Sequence, residues 1–279
     1  MQTTPLVSII TPVYNGADYL DELIVSVCDQ DYPFIEHIII DDGSNDDGAT
    51  VAILKKYPHL RWWTRENKGQ YATMNEGLEA AKGEFVCFIS ADDLLAPGAV
   101  KNVINRLMQY PELDGLHGRS LMMDMDRNLH WKQIPCQGLS FNLFPYVDNI
   151  PHCSLYINTK KLINKGLRFN PDYRYCGDYD WMIRLMNSGV NVGFLDVVLS
   201  QIRLHKDQTS DKFLAPLLKE HDAILREYHF NTLKHRFFFV FYHSLCVLDK
   251  LKLAYQSRGI QGVINMLTDW FSRKIIKPR

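Results

Sequence analysis

The sequence has 279 residues, of which 46% are hydrophobic and 23% are charged, and this composition is that of a folded globular protein rather than a disordered chain. The length accommodates one large domain, or one domain with a smaller appendage. A formal net charge of −1 argues against a nucleic-acid partner, because phosphates are bound by strongly basic surfaces.

The charged residues are unevenly distributed along the chain. Residues 211–279 contain twelve Lys and Arg against six Asp and Glu, which leaves the first 210 residues at −7. A basic, aromatic tail behind an acidic body indicates that residues 230–279 contact something anionic, and we expect a peripheral contact with an anionic membrane. Packing of the tail on the first 210 residues and formation of a homodimer are the alternatives.

The six cysteines show no CxxC pair, so we expect buried free thiols and a reducing compartment. The N-terminus lacks the basic flank and long apolar run of a secretion signal. No stretch of about 18 apolar residues is present to span a bilayer. These features predict a cytoplasmic protein, at most peripheral on the cytoplasmic face of the membrane.

The first 110 residues alternate strand and helix signals. An apolar, β-branched run at Leu6–Val13 predicts a buried strand, and apolar residues at helical spacing from Leu20 to Val27 predict the next helix. There follow a strand at Ile35–Ile40, a helix at Gly48–Tyr57, a strand at Leu60–Thr64, a helix at Gln70–Ala81 capped by Gly83, a strand at Phe85–Ile89 and a helix at Pro97–Tyr110. The pattern predicts an α/β fold with a Rossmann-like, mostly parallel sheet and helices on both faces.

Polar residues follow three of these strands, where ligands bind in parallel sheets. Tyr14-Asn15 follows the first strand, Asp41-Asp42 the second and Asp92-Asp93 the fourth. Adjacent carboxylates after a buried strand repel each other, and a divalent cation with oxygen ligands would relieve that repulsion. Simple turns or helix caps are the alternatives for both Asp pairs. No GxGxxG or GxxxxGK[ST] loop is present to bind phosphates instead.

Three segments resemble the start of a family 2 glycosyltransferase in order and spacing: VSIITPVYNGADYLDELIVSVCDQDYP, IIIDDGSNDDGA and ENKGQYATMNEGLEAAKGEFVCFISADDLLAPGAV. A weaker match through CGDYDWMIRL at 176–185 and RLHKDQTS at 203–210 extends the resemblance to about residues 5–210. The resemblance implies the GT-A fold and inverting transfer from a nucleotide-sugar.

On the donor side, the resemblance implies that Pro12 and Tyr14 hold the nucleotide base, with Tyr14 stacked on it, and that Asp42 hydrogen-bonds it. It also places Asn67 and Asn75 near the ribose and diphosphate. A turn residue packing on the helix is the alternative for Tyr14, and helix-start residues are the alternative for the two asparagines.

Asp92 and Asp93 match the end of the family's metal-binding signature, with Asp93 expected as the direct ligand of Mn²⁺ or Mg²⁺. Ser90 stands where many members carry a further aspartate, so one charge near the metal is missing. His205 is expected to give a nitrogen to the metal or phosphate, and Arg203 a charge to the diphosphate. The alternative for His205 is a surface position.

Asp178 matches the catalytic base, which takes the proton of the acceptor hydroxyl. Asp180, two residues further on, is expected as a helix cap or an orienting residue, and helix capping is the alternative for both aspartates. His152 is assigned to the acceptor pocket.

We therefore expect a GT-A catalytic domain at 1–210, with a nucleotide-binding half at 1–110 and an acceptor-binding half at 111–210, and a helical extension at 211–279. The expected activity is metal-dependent transfer of a single hexosyl or N-acetylhexosaminyl unit from a UDP-sugar to a glycan or lipid-linked acceptor, in cell-surface polysaccharide or glycoconjugate biosynthesis. A non-catalytic nucleotide-sugar-binding relative and a nucleotidyltransferase-like protein are the alternatives. A processive synthase is disfavoured, because its Q-x-x-R-W signature and multiple membrane spans are missing.

Overall fold

The protein is described by a computed structural model that covers residues 4–124, 129–130, 144, 150–205, 208 and 212–230, together with helical positions 237, 241, 251, 255, 259–261, 263 and 264. The described strands are β1 Val7–Val13, β2 Ile35–Asp41, β3 Arg61–Thr64, β4 Phe85–Phe88, β5 Leu94–Leu95, β6 Gly115–Met123, β7 Leu129–His130, β8 Leu155–Asn158 and β9 Val192–Arg203. The described α-helices are α1 Leu20–Cys28, α2 Ala49–Leu54, α3 Gln70–Ala80, α4 Ala99–Gln109, α5 Thr159–Asn164, α6 Gly177–Asn187 and α7 Leu214–Glu227.

The described strands form one sheet in the order β3-β2-β1-β4-β8-β6-β9-β5, with β7 paired to β6. Strands β1 to β4 run parallel to one another, as the sequence predicts. From β8 onward the pairing is mixed, because β8 runs antiparallel to both β4 and β6 while β9 is parallel to β6. The two halves predicted at 1–110 and 111–210 therefore contribute strands to the same sheet.

Helices cover both faces of the sheet, because the strands near its centre are apolar on both sides. On β4, Phe85 and Cys87 pack with α1, α2 and α4 in one apolar core. Their neighbours Val86 and Phe88 pack in a second core with α3, α5, α6 and α7. This alternation follows from the two-residue period of a strand and confirms the α/β class with two-sided cover.

Gly83 has a different role from the predicted helix cap. Helix α3 ends at Ala80, and Ala81 is already extended with ψ 136°. A Cβ at Gly83 would lie 2.5 Å from both the backbone nitrogen and the hydroxyl oxygen of Ser8. Glycine is therefore required here because the loop before β4 approaches β1 closely.

In the C-terminal extension, α7 packs on the second core through Ile224 and Leu225. Most of the 230–279 segment, for which a membrane contact is predicted, lies outside the described residues. Across the part of the chain that the structure describes, no helix combines the length and the apolar character needed to cross a bilayer.

Candidate active site

The Asp92-Asp93 turn follows β4 and presents one buried carboxylate. The backbone N–H of Asp93 donates to the carbonyl of Ser90 at 3.1 Å, and the Asp93 carboxylate accepts a hydrogen bond from the backbone N–H of Arg203 at 3.1 Å. Burial, followed by the negative charge of Asp92, raises the pKa of Asp93. A buried carboxyl that resists ionisation in this way is a position at which a cation would be stabilising.

His205 binds the neighbouring aspartate. Its Nε2 lies 2.9 Å from a carboxylate oxygen of Asp92, and its ring is packed against Tyr19 with 4.7 Å between the ring centroids. The Nδ1 atom of His205 is buried and has no hydrogen-bond partner among the described residues. The structure thus brings the two residues predicted to bind metal, Asp93 and His205, to the same turn, with Asp92 in between.

Arg203 braces this turn from inside the protein. Its guanidinium donates to the Asp92 carbonyl at 3.0 Å and to the Glu22 carboxylate at 2.8 Å, and it lies over the Tyr19 ring at 5.2 Å from the centroid. Only 2% of the side chain is exposed. In this arrangement Arg203 holds the Asp92-Asp93 turn in place, and its guanidinium is engaged by Asp92 and Glu22.

The donor chemistry of the turn fits a hard divalent cation, because carboxylate oxygens are the ligands that Mg²⁺ and Mn²⁺ prefer. The raised pKa of Asp93 indicates that a positive charge would be accommodated there. No group of three or more His, Cys, Asp or Glu side chains is arranged to hold a metal within the described residues. A cation would therefore take further ligands from a bound diphosphate or from water.

Asp178 lies in the first turn of α6 and is held by three donors. One carboxylate oxygen accepts from the Tyr71 hydroxyl at 3.1 Å and from the Tyr179 backbone N–H at 2.9 Å. The other oxygen lies 3.4 Å from Nδ1 of His152. Burial acts to raise the pKa of Asp178, but the hydrogen bond and charge of His152, with the other two donors, lower it overall. Asp178 is therefore ionised at neutral pH, as a proton acceptor must be.

His152 is the reciprocal partner in this pair. Burial acts to lower its pKa, yet the carboxylates of Asp178, Asp93 and Asp92 raise it above the ordinary value for histidine. Its Nε2 lies 3.4 Å from the Ser90 hydroxyl. A cavity of about 220 Å³ is lined by Asp93, His152 and Asp178 together with apolar side chains. The aspartate predicted to bind metal and the aspartate predicted as base thus face the same space.

Asp180, expected as a cap or an orienting residue, is buried and points away from this cavity. Its carboxylate accepts from Arg184 at 2.7 and 2.9 Å and from the Tyr228 hydroxyl at 2.8 Å. It therefore ties α6 to the residue that follows α7, and its role is structural.

Asp42 holds the loop that leads into α3. Its carboxylate accepts from the backbone N–H groups of Lys68 at 2.8 Å and Gly69 at 2.9 Å, and it forms an ion pair with Arg65. Arg65 also donates to Glu76 at 2.9 Å and to Thr73 at 2.8 Å. A nucleotide base at Asp42 would therefore have to share this carboxylate with Arg65, a residue that no motif in the sequence singled out.

Tyr14 and Asn15 follow β1 at the same edge of the sheet. The Tyr14 side chain is 48% exposed, and its hydroxyl lies 3.3 Å from the side-chain oxygen of Asn45. The exposed ring face is available for stacking on a base. Pro12 is buried within β1, so it can shape the strand end but presents little surface to a ligand.

The two asparagines predicted near the diphosphate have different positions. Asn67 is exposed in the loop beside Asp42, and its side-chain oxygen accepts from the Gly69 N–H at 3.2 Å. Asn75 uses both ends of its amide on the backbone of Phe169, at 2.8 Å each. This pairing of Asn75 joins α3 to the segment before α6 and does not bring it to the cavity.

Tyr71 is the main residue at the site that the sequence did not indicate. It is buried at the start of α3, and its ring stacks on Phe169 with 5.8 Å between centroids. Its position among apolar helix residues is typical of a core aromatic, so nothing local distinguishes it. Burial and the charge of Asp178 raise its pKa well above the ordinary value for tyrosine, so Tyr71 remains a hydrogen-bond donor.

Comparison with known proteins identifies the class to which this fold and site belong. The model of "Glycosyl transferase family 2" matches residues 8–164. An uncharacterized glycosyltransferase of Rickettsia typhi is 33% identical over 228 residues, which is 79% of this chain and 70% of the relative. The chain therefore belongs to glycosyl transferase family 2.

Other relatives differ in length or in the share that aligns. The chain matches an uncharacterized glycosyltransferase of Rickettsia felis with 32% identity over 75% of its own length but only 36% of the relative's length. A putative teichuronic acid biosynthesis glycosyltransferase, TuaG of Bacillus subtilis, is 34% identical over 45% of this chain and 53% of the relative.

Solved structures show the same GT-A fold. TarS of S. aureus in complex with UDP-GlcNAc superposes with a TM-score of 0.65, 19% identity, and coverage of 92% of this chain and 79% of TarS. The mannosyltransferase PcManGT of Pyrobaculum calidifontis, in complex with GDP-Man and Mn²⁺, gives a TM-score of 0.61 at 18% identity, covering 99% of this chain and 82% of the other. At such identities the likeness establishes the fold, and the GT-A fold predicted from the sequence is confirmed.

Proposed function

We propose that this protein is an inverting transferase that moves a single sugar from a nucleotide diphosphate sugar, UDP-linked, to a hydroxyl of a glycan or lipid-linked acceptor. The observation that carries this proposal is the cavity of about 220 Å³ in which Asp93 and Asp178 meet. Burial raises the pKa of Asp93, whereas the hydrogen bond and charge of His152 lower the pKa of Asp178. Enzymes often give different catalytic roles to two carboxyls whose environments shift their pKa values in opposite directions.

Asp178 acts in this scheme as the general base. It accepts the proton of the acceptor hydroxyl while the acceptor oxygen forms a bond to the anomeric carbon of the sugar. The bond between that carbon and the diphosphate oxygen breaks, and its electron pair leaves with the nucleoside diphosphate. Because this is a single displacement from the opposite side, the configuration at the anomeric carbon is inverted.

The Asp92-Asp93 turn serves the leaving group. Asp93, with Asp92 and His205 beside it, would hold Mn²⁺ or Mg²⁺, which supplies positive charge to the departing diphosphate when it is bound. Tyr14 would stack on the base and Asp42 would hydrogen-bond it once Arg65 shares or yields its contact. Asn67, in the loop held by Asp42, would contact the ribose or the diphosphate.

The known ligands of similar structures support a nucleotide-sugar donor. TarS is described in complex with UDP-GlcNAc, and PcManGT in complex with GDP-Man and Mn²⁺. The relative TuaG is named as a putative teichuronic acid biosynthesis glycosyltransferase, which supports a place in cell-surface polysaccharide biosynthesis. Transfer of a hexosyl or N-acetylhexosaminyl unit is part of the proposal. We place the protein in the cytoplasm, with residues 230–279 in contact with the cytoplasmic face of the membrane and with the homodimer as the alternative.

Three experiments test the proposal. Calorimetry should detect UDP binding that strengthens when Mn²⁺ is added, and a panel of nucleotide-sugars should identify a donor that the protein hydrolyses or transfers. Asp178→Asn should abolish turnover while leaving UDP binding close to wild type. If UDP does not bind with or without Mn²⁺, the donor assignment is wrong. If Asp178→Asn loses UDP binding together with turnover, Asp178 is part of the donor site and not the base.

A further inference from the structure

His152 lies between the two parts of the site. It begins the short 3₁₀ turn His152–Ser154 that leads into β8, and β8 pairs with β4. The turn is therefore next to Ser90, just beyond the end of β4. From there the imidazole reaches Ser90 with Nε2 and Asp178 with Nδ1, at 3.4 Å in both cases.

We propose that His152 is a positioning residue for proton transfer, which fixes the Asp178 carboxylate in the cavity through Nδ1 while its own ring is held at Ser90. This inference rests on the proposed function, because it assigns a role within the same reaction. It extends that function by naming the side chain that sets the direction of the base.

The division of partners between the two Asp178 oxygens supports this role. One oxygen accepts from both Tyr71 and the backbone N–H of Tyr179, which fills its two acceptor positions. The other oxygen is the one that His152 contacts. It retains an acceptor position for the acceptor hydroxyl, and His152 determines where that position points.

The neutral residue at Ser90 favours this arrangement. The Ser90 hydroxyl contacts Nε2 at 3.4 Å without bringing a further negative charge to the ring, so the charge of the imidazole stays paired with the Asp178 carboxylate at Nδ1. The charged and titratable groups around the imidazole are Asp178 on α6 and Asp92 and Asp93 on the turn after β4. Tyr71 on α3 faces the same carboxylate. Of these acidic groups, Asp178 is the one in hydrogen-bond contact with His152.

The test uses the full-length His152→Gln variant, with UDP-N-acetylglucosamine and UDP-glucose as donor probes. We expect kcat to fall by about 100-fold, as displacement of a catalytic group by about 1 Å can do. The donor KM should stay within about threefold, because a residue at the base should change the chemical step and not donor binding. The acid limb of the kcat–pH profile should move to higher pH, because the pKa of Asp178 rises when its cationic partner is removed.

Two further variants keep the test decisive if His152→Gln folds poorly. Tyr71→Phe removes one hydroxyl from the same carboxylate and should move the acid limb in the same direction with a smaller loss of kcat. His117→Gln serves as the matched control, because His117 is a buried histidine packed on Phe194 and does not line the cavity. It should retain the wild-type pH profile even if the protein becomes less stable.

The outcomes separate the two proposals. If Asp178→Asn is inactive while His152→Gln and Tyr71→Phe keep the wild-type kcat and acid limb, the positioning role is wrong and the proposed function stands. If Asp178→Asn retains wild-type turnover, Asp178 is not the base and both proposals fail. A wild-type protein that binds neither donor probe nor UDP would overturn the proposed function itself.

Discussion

Replacing Arg203 tests whether this residue braces the Asp92-Asp93 turn or binds the diphosphate directly. The guanidinium is 2% exposed and makes a buried contact with Glu22, whose side chain is 32% exposed. Arg203→Gln shortens the side chain and removes its charge, so the Glu22 carboxylate and the Asp92 carbonyl lose a charged donor. If Arg203 is a brace, the change should reduce stability even in the absence of any ligand.

The size of the loss can be worked out from these contacts. Hydrogen bonds to charged groups contribute about 1.5–3 kcal/mol each, and the value for Glu22 belongs at the lower end because this carboxylate remains partly hydrated. The contact of the guanidinium with the Tyr19 ring adds about 0.5–1 kcal/mol. With about 1.5 kcal/mol for the Glu22 hydrogen bond and the full range for the Asp92 hydrogen bond, the three contacts give an expected loss of roughly 3.5–5.5 kcal/mol in the free energy of unfolding. That corresponds to roughly 7–22 °C in Tm for a domain of this size.

Thermal unfolding without nucleotide or metal measures this loss, and calorimetry with UDP and Mn²⁺ measures the effect on binding. Lys101→Gln is the control for removal of a cation, because the Lys101–Asp31 pair is exposed, with side chains 52% and 54% accessible, and should change stability by less than about 1 kcal/mol. If Arg203→Gln unfolds like the control but binds UDP at least about tenfold more weakly, Arg203 contacts the diphosphate and the reasoning from its burial is refuted.

Four further predictions concern other parts of the chain. Gly77→Ala should destabilise the fold by about 1–3 kcal/mol in urea unfolding, because a Cβ there would collide with the buried Ile10 side chain; equal stability would contradict the close approach of α3 to β1. Asp42→Ala should speed hydrogen exchange at the Lys68 and Gly69 amides and weaken UDP binding, and unchanged exchange would show that the carboxylate does not hold this loop. In the metal-free protein the pKa of Asp93 is raised, so the folded state keeps a proton that the unfolded state releases near pH 4. The protonated Asp93 therefore stabilises the fold below about pH 4, and this stabilisation is lost as the pH rises toward the pKa of the folded state. Asp93→Asn should flatten that pH dependence, and an unchanged slope would contradict the buried-carboxyl assignment. Replacement of the tail residues Arg273, Lys274, Lys277 and Arg279 by Gln should reduce co-sedimentation with anionic vesicles, and undiminished binding would remove the support for a membrane contact.

Much of the fold follows from local pattern. The β-branched apolar runs at β1 and β2 and the helical spacing of α1 identify these elements because strand and helix periods impose different repeats on the same buried surface. Boundaries were accurate to within a few residues in this half. The mixed strand pairing from β8 onward could not be predicted in the same way, because the partner of a strand depends on contacts far away in the sequence.

In the candidate site, too, local features could be predicted from the sequence and long-range contacts could not. Asp92-Asp93 was predicted from its residue type and its place after a buried strand, whereas the role of Asp178 was implied by the resemblance to family 2 glycosyltransferases. Both signals lie within a few residues of the side chains concerned. Their meeting in one cavity is a property of the assembled sheet, in which α6 is brought to the end of β4 by strands that the sequence alone does not order.

Long-range contacts also decide the surroundings of several residues that the sequence assigned to the donor site or did not assign at all. Arg203 and Asn75 carry polar groups suited to a diphosphate, and in the structure they bind Glu22, the Asp92 carbonyl and the Phe169 backbone. Their contact with the donor stays a prediction. Tyr71 and His152 gain their importance only from contact with Asp178. The sequence by itself determined the α/β class, the family and the acidic residues at the strand ends, because these depend on local chemistry. Only the tertiary structure decided which polar groups reach the cavity, because a side chain buried against a distant partner is no longer free to bind a ligand.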